Sequence, residues 1–214
     1  MSHKKILSIN SISKTFGSIF ANDKIDLELF EGEILALLGE NGAGKTTLMN
    51  MLFGHYMPDD GSIDIMAENG DLIPLSLGNP QIALGAGIGM VHQHFTLANN
   101  LTVYDNIVLG SEPLFGIKRD RSRATKKINK IIEKSGLNAD LNNIVSNLSV
   151  GERQRVEILK ALYRDAKILV LDEPTAVLTP QEADSLFSNI KAMTKSGLSV
   201  IFISHKLREV LDFS

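Results

Sequence analysis

The octapeptide "GENGAGKT", residues 39 to 46, brings together the residue types that hold a chain of phosphates. Glycines leave backbone N–H groups bare to close around phosphate oxygens, a lysine supplies a point charge, and a threonine hydroxyl can ligate a divalent cation. The spacing is G-x-x-x-x-G-K-[ST], which makes Gly39, Asn41, Gly42, Ala43, Gly44, Lys45, Thr46 and Thr47 the candidate nucleotide-binding residues. A second group closes "KILVLDEP", residues 167 to 174, where an apolar run ends in two adjacent carboxylates. Asp172 is suited to support a magnesium ion, and Glu173, ionised at neutral pH, to take a proton from water. Consecutive residues leaving a strand point to opposite sides, so the two need not share a partner. A third group opens "LSVGERQRVEILKAL", residues 148 to 162. Ser149 can cap a helix, Gly151 leaves amides bare, and Val156, Leu159 and Leu162 follow at helical spacing. A capped helix start attracts anions, so the chain carries a second anion-binding end besides the phosphate loop.

These residues need elements to hold them. The runs "ILALLG" (34 to 39), "KILVLD" (167 to 172) and "LSVIFIS" (198 to 204) are continuously apolar, the pattern of strands buried on both faces of a parallel sheet. Helical patterns follow each, beginning with "TTLMNMLFG" after the phosphate loop. Residues 5 to 30 and 61 to 66 read as strands, and in "IDLEL" the alternation of Ile25, Leu27 and Leu29 with acids predicts a half-solvated antiparallel sheet. The stretch from Thr96 to Arg164 reads as largely helical. The expected fold is α/β: a parallel P-loop core, an N-terminal antiparallel β lobe and a helical insertion.

Composition narrows the class. Of 214 residues, 43% are hydrophobic and none is cysteine, which excludes disulfides, thiolate metal sites and thiol nucleophiles. The 22 basic and 25 acidic residues leave a net charge of −3, so no bulk attraction draws the chain to nucleic acid or anionic lipid. No apolar run approaches the roughly 18 residues that span a bilayer, and no signal-peptide pattern follows the first lysines. The basic run "KRDRSRATKKINK" (118 to 130) reads as the solvated face of a helix rather than a lipid or RNA contact.

Taken in order, these motifs resemble the nucleotide-binding domain of ABC transporter ATPases, from about residue 4 to the end. That resemblance implies a RecA-like core and ATP with Mg2+ as cofactors. It identifies "LSVGE" with the family's signature motif, so that Ser149, Val150, Gly151 and Glu152 would grip the γ-phosphate of ATP held by a second nucleotide-binding domain docked head to tail. By the same resemblance Phe16 in "SKTFG" stacks on adenine. Gln93 in "MVHQHF" contacts magnesium and the attacking water, and His205 in "FISHKL" contacts the γ-phosphate. Glu173, His205 and Gln93 are thus the expected catalytic set, and Thr46, Gln93 and Asp172 the expected magnesium set. His92 and His94 flank Gln93 without an evident third ligand and read as structural side chains. Two departures stand out: Val150 and Glu152 replace a glycine and a glutamine of the commoner signature, and Thr179 stands where many relatives have an aspartate. A Glu152 carboxylate facing the partner's phosphate would repel it unless it turns away.

At finer grain, "MVHQHFTLANNLTVYDNIVLG" and "DEPTAVLTPQEADSLF" are similar to the first cassette of tandem ATPases that energise nucleoside and simple-sugar importers. The resemblance implies one domain over 1–214, with β lobe and core at about 1–93 and 165–214 and a helical lobe at about 94–164, continuing beyond Ser214 in a longer protein. It implies permease subunits as partners, an extracytoplasmic substrate-binding protein indirectly, and a peripheral position on the cytoplasmic face of the membrane. Two other readings stay open on the sequence: a regulatory half that binds ATP without hydrolysing it, and an ABC ATPase with no permease.

Overall fold

The computed structural model describes residues 4–111 and 121–213. Strands β1 (Lys5–Phe16) and β2 (Ile19–Phe30) form an antiparallel hairpin, and β4 (Asp60–Met66) pairs with the other edge of β1. With β5 (Leu72–Pro74) they make a sheet of order β2-β1-β4-β5, the antiparallel lobe that the alternation in "IDLEL" predicts. The second sheet is wholly parallel. It contains β3 (Ile34–Leu38), β6 (Ile88–Val91), β7 (Ile168–Asp172) and β8 (Ser199–Ser204) in the order β3-β8-β7-β6.

Strands β7 and β8 are buried along their whole length because each face meets a different core. Ile168, Val170, Ile201 and Ile203 join the core under the antiparallel lobe, with helices α1 (Lys45–Phe53) and α2 (Pro80–Gly85). Leu169, Leu171, Val200 and Phe202 join the core under α3 (Val103–Val108), α4 (Arg121–Ser135), α5 (Val150–Tyr163) and α6 (Pro180–Lys195). The period of two along a strand divides one apolar run between two cores. A short helix α7 (Leu207–Phe213) follows β8. Among the described residues no helix is long and apolar enough to cross a membrane.

Two sequence expectations need correction. "ILALL" reads as doubly buried, yet β3 is only half-buried, because among the described residues it is an edge strand bonded to β8 alone. Its side chains do alternate between the cores, Ile34 and Ala36 toward one and Leu35 and Leu37 toward the other. An apolar run reports two apolar faces and is silent about the strand's edges. The stretch from Thr96 to Arg164 is also less helical than expected: α3 ends at Val108, and residues 136–144 are irregular.

The basic run lies partly outside the described residues. Within α4, Ile128 and Ala124 are buried as the spacing predicts, while Lys127 pairs with Asp165 at 2.8 Å and lies 4.9 Å from the Tyr163 ring. That face is therefore partly engaged with the rest of the fold.

The irregular segment after β6 is held by one buried amide. Asn106, with no exposed surface, accepts from the Ala98 amide at 2.7 Å and donates to the carbonyls of Ala98 and Thr102 at 3.0 Å each. Deleting it leaves the Ala98 amide without its partner and removes one of the two bonds at each of the Ala98 and Thr102 carbonyls. Asn106→Ala is expected to lower stability by about 2–3 kcal/mol, measured as the shift of the urea unfolding midpoint at constant slope.

Candidate nucleotide site

The phosphate loop links β3 to α1, and its shape depends on glycine. Gly44 adopts φ +80°, and a Cβ there would come within 2.1 Å of the Ala21 carbonyl oxygen, so the loop's close seat on β2 tolerates no side chain. Asn22, buried in β2, donates to the Gly44 carbonyl at 3.3 Å. Lys45 folds its ammonium onto the carbonyls of Gly39 and Glu40, both at 2.7 Å, leaving one N–H donor for an anion. The loop walls a cleft of about 340 Å³, lined by Asn41, Gly42, Ala43, Gly44, Lys45, Thr46 and Thr47 together with Gln93, Glu173 and Ala21. A polar cleft of that size, walled by bare amides and a lysine, suits a phosphate chain.

Two large apolar residues, Ile19 and Phe20, complete the lining, 68% and 72% exposed. Sequence reasoning passed over them. The signal is there: adjacent apolar residues on a strand with one solvated face cannot both be buried. Phe16 is not part of the lining but pairs across the hairpin with Ile19. Its half-exposed ring meets Tyr56 edge-on at 5.5 Å, with the Lys14 ammonium 5.5 Å from its centroid.

Asp172 and Glu173 diverge. Asp172 ends β7 almost fully buried and accepts the Thr46 hydroxyl at 3.3 Å. Glu173 takes a left-handed backbone, φ 47°, which bends the chain away from the strand direction. Such a conformation is costly outside glycine and persists where neighbours over-determine it. Its carboxylate faces His205 Nδ1 at 3.0 Å. Adjacent carboxylates thus have separate partners, one on the phosphate loop and one on the loop after β8.

Burial pushes the Asp172 carboxyl above its ordinary range, and the charge of Glu173 adds to that; the Thr46 hydrogen bond, His92 and Lys45 oppose it. A buried carboxylate beside a hydroxyl, with the Gln93 amide on the same cleft, is an oxygen donor set that fits a hard divalent cation. Thr46, Asp172 and Gln93 are the residues that would hold it.

His92 stacks on His55 with ring centroids 5.4 Å apart, and His94 is exposed. Burial holds the His92 imidazole below its ordinary value, helped by repulsion from His55.

The signature residues lie elsewhere, at the start of α5. Ser149 caps the helix, accepting from the Glu152 amide at 3.3 Å, and the Glu152 carboxylate turns back to accept from the Ser149 amide at 2.8 Å. The negative charge is therefore engaged by its own helix end. Thr179 performs the same duty for α6, in a capping box with Glu182. The two helix starts touch: a Cβ on Gly151 would meet the Glu182 carboxylate at 2.5 Å. Gln154, buried on α5, donates to the Pro174 carbonyl at 2.6 Å and ties this helix to the loop that carries Glu173.

Residues 22–176 match the family model described as ABC transporter. The chain is 48% identical over 212 residues, 98% of its length, to the nucleoside import ATP-binding protein NupA of Lactococcus lactis subsp. cremoris. It is 47% identical over 196 residues, 92% of its length, to the guanosine import ATP-binding protein NupO of Bacillus subtilis. It spans 40% and 38% of those curated relatives. Among solved structures, the ADP conformation of MJ1267, an ATP-binding cassette of an ABC transporter, superposes with a TM-score of 0.85 at 27% identity, covering 98% of this chain and 84% of that one.

The Asp172 environment makes a prediction. Because its pKa is raised on folding, the stability contributed by the protonated form is fully present below the ordinary value and lost as pH rises through the raised one. At neutral pH the ionised side chain is a cost that a bound cation relieves. Asp172→Asn is expected to raise the melting temperature at pH 7 without Mg2+ and nucleotide, and to weaken Mg2+-dependent nucleotide binding about 10–100-fold, both read by thermal shift with and without Mg2+.

Proposed function

The chain belongs to the ABC transporter family, and on that premise we propose that it is the ATP-hydrolysing motor of an importer of nucleosides or simple sugars. The observation that carries this reading is that Glu173, on the cleft walled by the phosphate loop and Gln93, meets His205 at 3.0 Å. The amides of residues 41–44 and the Lys45 ammonium hold the phosphates, and the Phe16 ring offers a face to the base. A magnesium ion, when bound, supplies charge neutralisation at the β- and γ-phosphates. A water attacks the γ-phosphorus, the bond to the bridging oxygen breaks, ADP leaves, and the water's proton passes to Glu173. His205, as a neutral ring donating Nδ1–H to Glu173, presents an Nε2 lone pair that accepts from the water and orients it.

The signature end, Ser149 to Glu152, is absent from this cleft's lining, which supports its service to the nucleotide of a second, head-to-tail domain. The longer relatives, named as nucleoside and guanosine import proteins, support both a second domain and the substrate class. The domain divides into β lobe with core, about 1–93 and 165–214, and a helical lobe of about 94–164. On the cytoplasmic face of the membrane, a permease docks along Gln93 and residues 94–110. A neighbouring groove of about 240 Å³ suits a protruding permease segment; it is lined by Phe53, His55, His92, Thr96, Lys160 and Arg164 among others. Burial lowers the Lys160 pKa, and the nearby Glu157 opposes that shift.

Glu173→Gln in the full-length chain assembled with its permease tests the reading. ATP turnover is expected to fall about 10²–10⁴-fold with ATP binding retained. Turnover that survives at the wild-type rate would make this half a nucleotide clamp.

A further inference from the structure

The loops that carry Glu173 and His205 are joined a second time, by a carboxylate outside the nucleotide cleft. Glu209, in the first turn of α7, accepts the Thr175 hydroxyl at 2.7 Å and the Lys206 ammonium at 2.9 Å on Oε1, and the Ser204 hydroxyl at 2.8 Å on Oε2. Thr175 stands two residues beyond Glu173, and Ser204 and Lys206 flank His205 on either side. The Ser204 hydroxyl also accepts from the Lys206 amide at 3.0 Å, closing the turn around His205. Thr175 and Ser204 are 4% and 3% exposed, so water is a poor substitute for the carboxylate at these hydroxyls.

By contrast, the direct contact between Glu173 and His205 is open, the histidine side chain being 39% exposed. A single pair that is open on the histidine side, with Glu173 16% exposed, is a weak hold on two loops, and the left-handed backbone of Glu173 needs neighbours that enforce it. We infer that Glu209 is a positioning residue for hydrolysis: its carboxylate clamps the loop after β7 to the loop after β8, so that Glu173 and His205 meet in a fixed geometry. The inference rests on the roles of Glu173 and His205 proposed above. Burial acts to raise the Glu209 carboxyl, but the hydrogen bonds from Thr175, Lys206 and Ser204 outweigh it and hold its pKa below the ordinary value, so the clamp is anionic at neutral pH.

The test uses the full-length chain assembled with its permease. Glu209→Ala is expected to lower kcat for ATP about 10–100-fold with KM within about twofold, because the phosphate loop is untouched while the reacting groups lose alignment. Glu209→Gln, which keeps the shape but can accept at only one of its two terminal atoms, is expected to fall in between. Thr175→Val, nearly isosteric, cuts one loop from the clamp and should reproduce part of the loss in a protein that folds normally. In a His205→Ala background, Glu209→Ala should cost nothing further. Hydrogen exchange should accelerate at residues 173–178 and 204–210 of Glu209→Ala while β7 and β8 stay protected. Unchanged exchange in those segments would overturn the clamp, and so would a kcat loss that adds in full to that of His205→Ala. If His205→Ala alone leaves turnover intact, the catalytic reading of His205 fails, and the exchange result alone decides the clamp.

Discussion

The parallel pairing of β7 with β8, which sets Asp172 opposite Ile203, is the constraint on which the site depends. Both strands are central, and each face of each strand meets an apolar core, so polar residues are tolerated only where the strands end. That concentrates Asp172, Glu173, Ser204 and His205 at one edge of the sheet. This register brings Glu173 to the level of Ser204, one residue before His205, and the Glu173 amide bonds to the Ile203 carbonyl at 3.1 Å. The packing of the interior thus fixes which side chains can meet at the surface.

From that edge two carboxylates one residue apart are given opposite environments. Asp172 stays in the low-dielectric end of the strand, where its charge is costly and a cation is the natural remedy. Glu173 is swung out by a left-handed backbone to a histidine and the cleft. Had the chain continued in extended geometry, Glu173 would not have been turned toward His205. The bend isolates the two roles without any insertion in the sequence.

The helix starts show the same management of charge. Glu152 and Glu182 are both acids at the third position of a helix, and both turn back to bond the amide of the capping residue. Each negative charge sits on the positive end of its own helix. For α5 this means that the unusual acid of the signature completes the cap, while the neighbouring glycine admits the start of α6.

The phosphate loop, the paired carboxylates and the capped start of α5 were legible in the sequence because each is a local pattern: spacing alone decides whether glycines, a lysine and a threonine can wrap phosphate, or whether Ser149 can cap. The antiparallel lobe and the doubly apolar strands were legible because periodicity reports how many faces are buried. Periodicity does not report edges, so the half-buried state of β3 came only with strand order. Nor does it report contacts between distant segments. Ile19 and Phe20 became part of the nucleotide cleft because β2 passes under the phosphate loop, and Glu209 became the link between two loops because α7 folds back over the end of β8. Residue types at fixed spacing decided what chemistry this chain can perform; the tertiary fold decided which of its many carboxylates and apolar side chains stand close enough, within hydrogen-bonding distance, to take part.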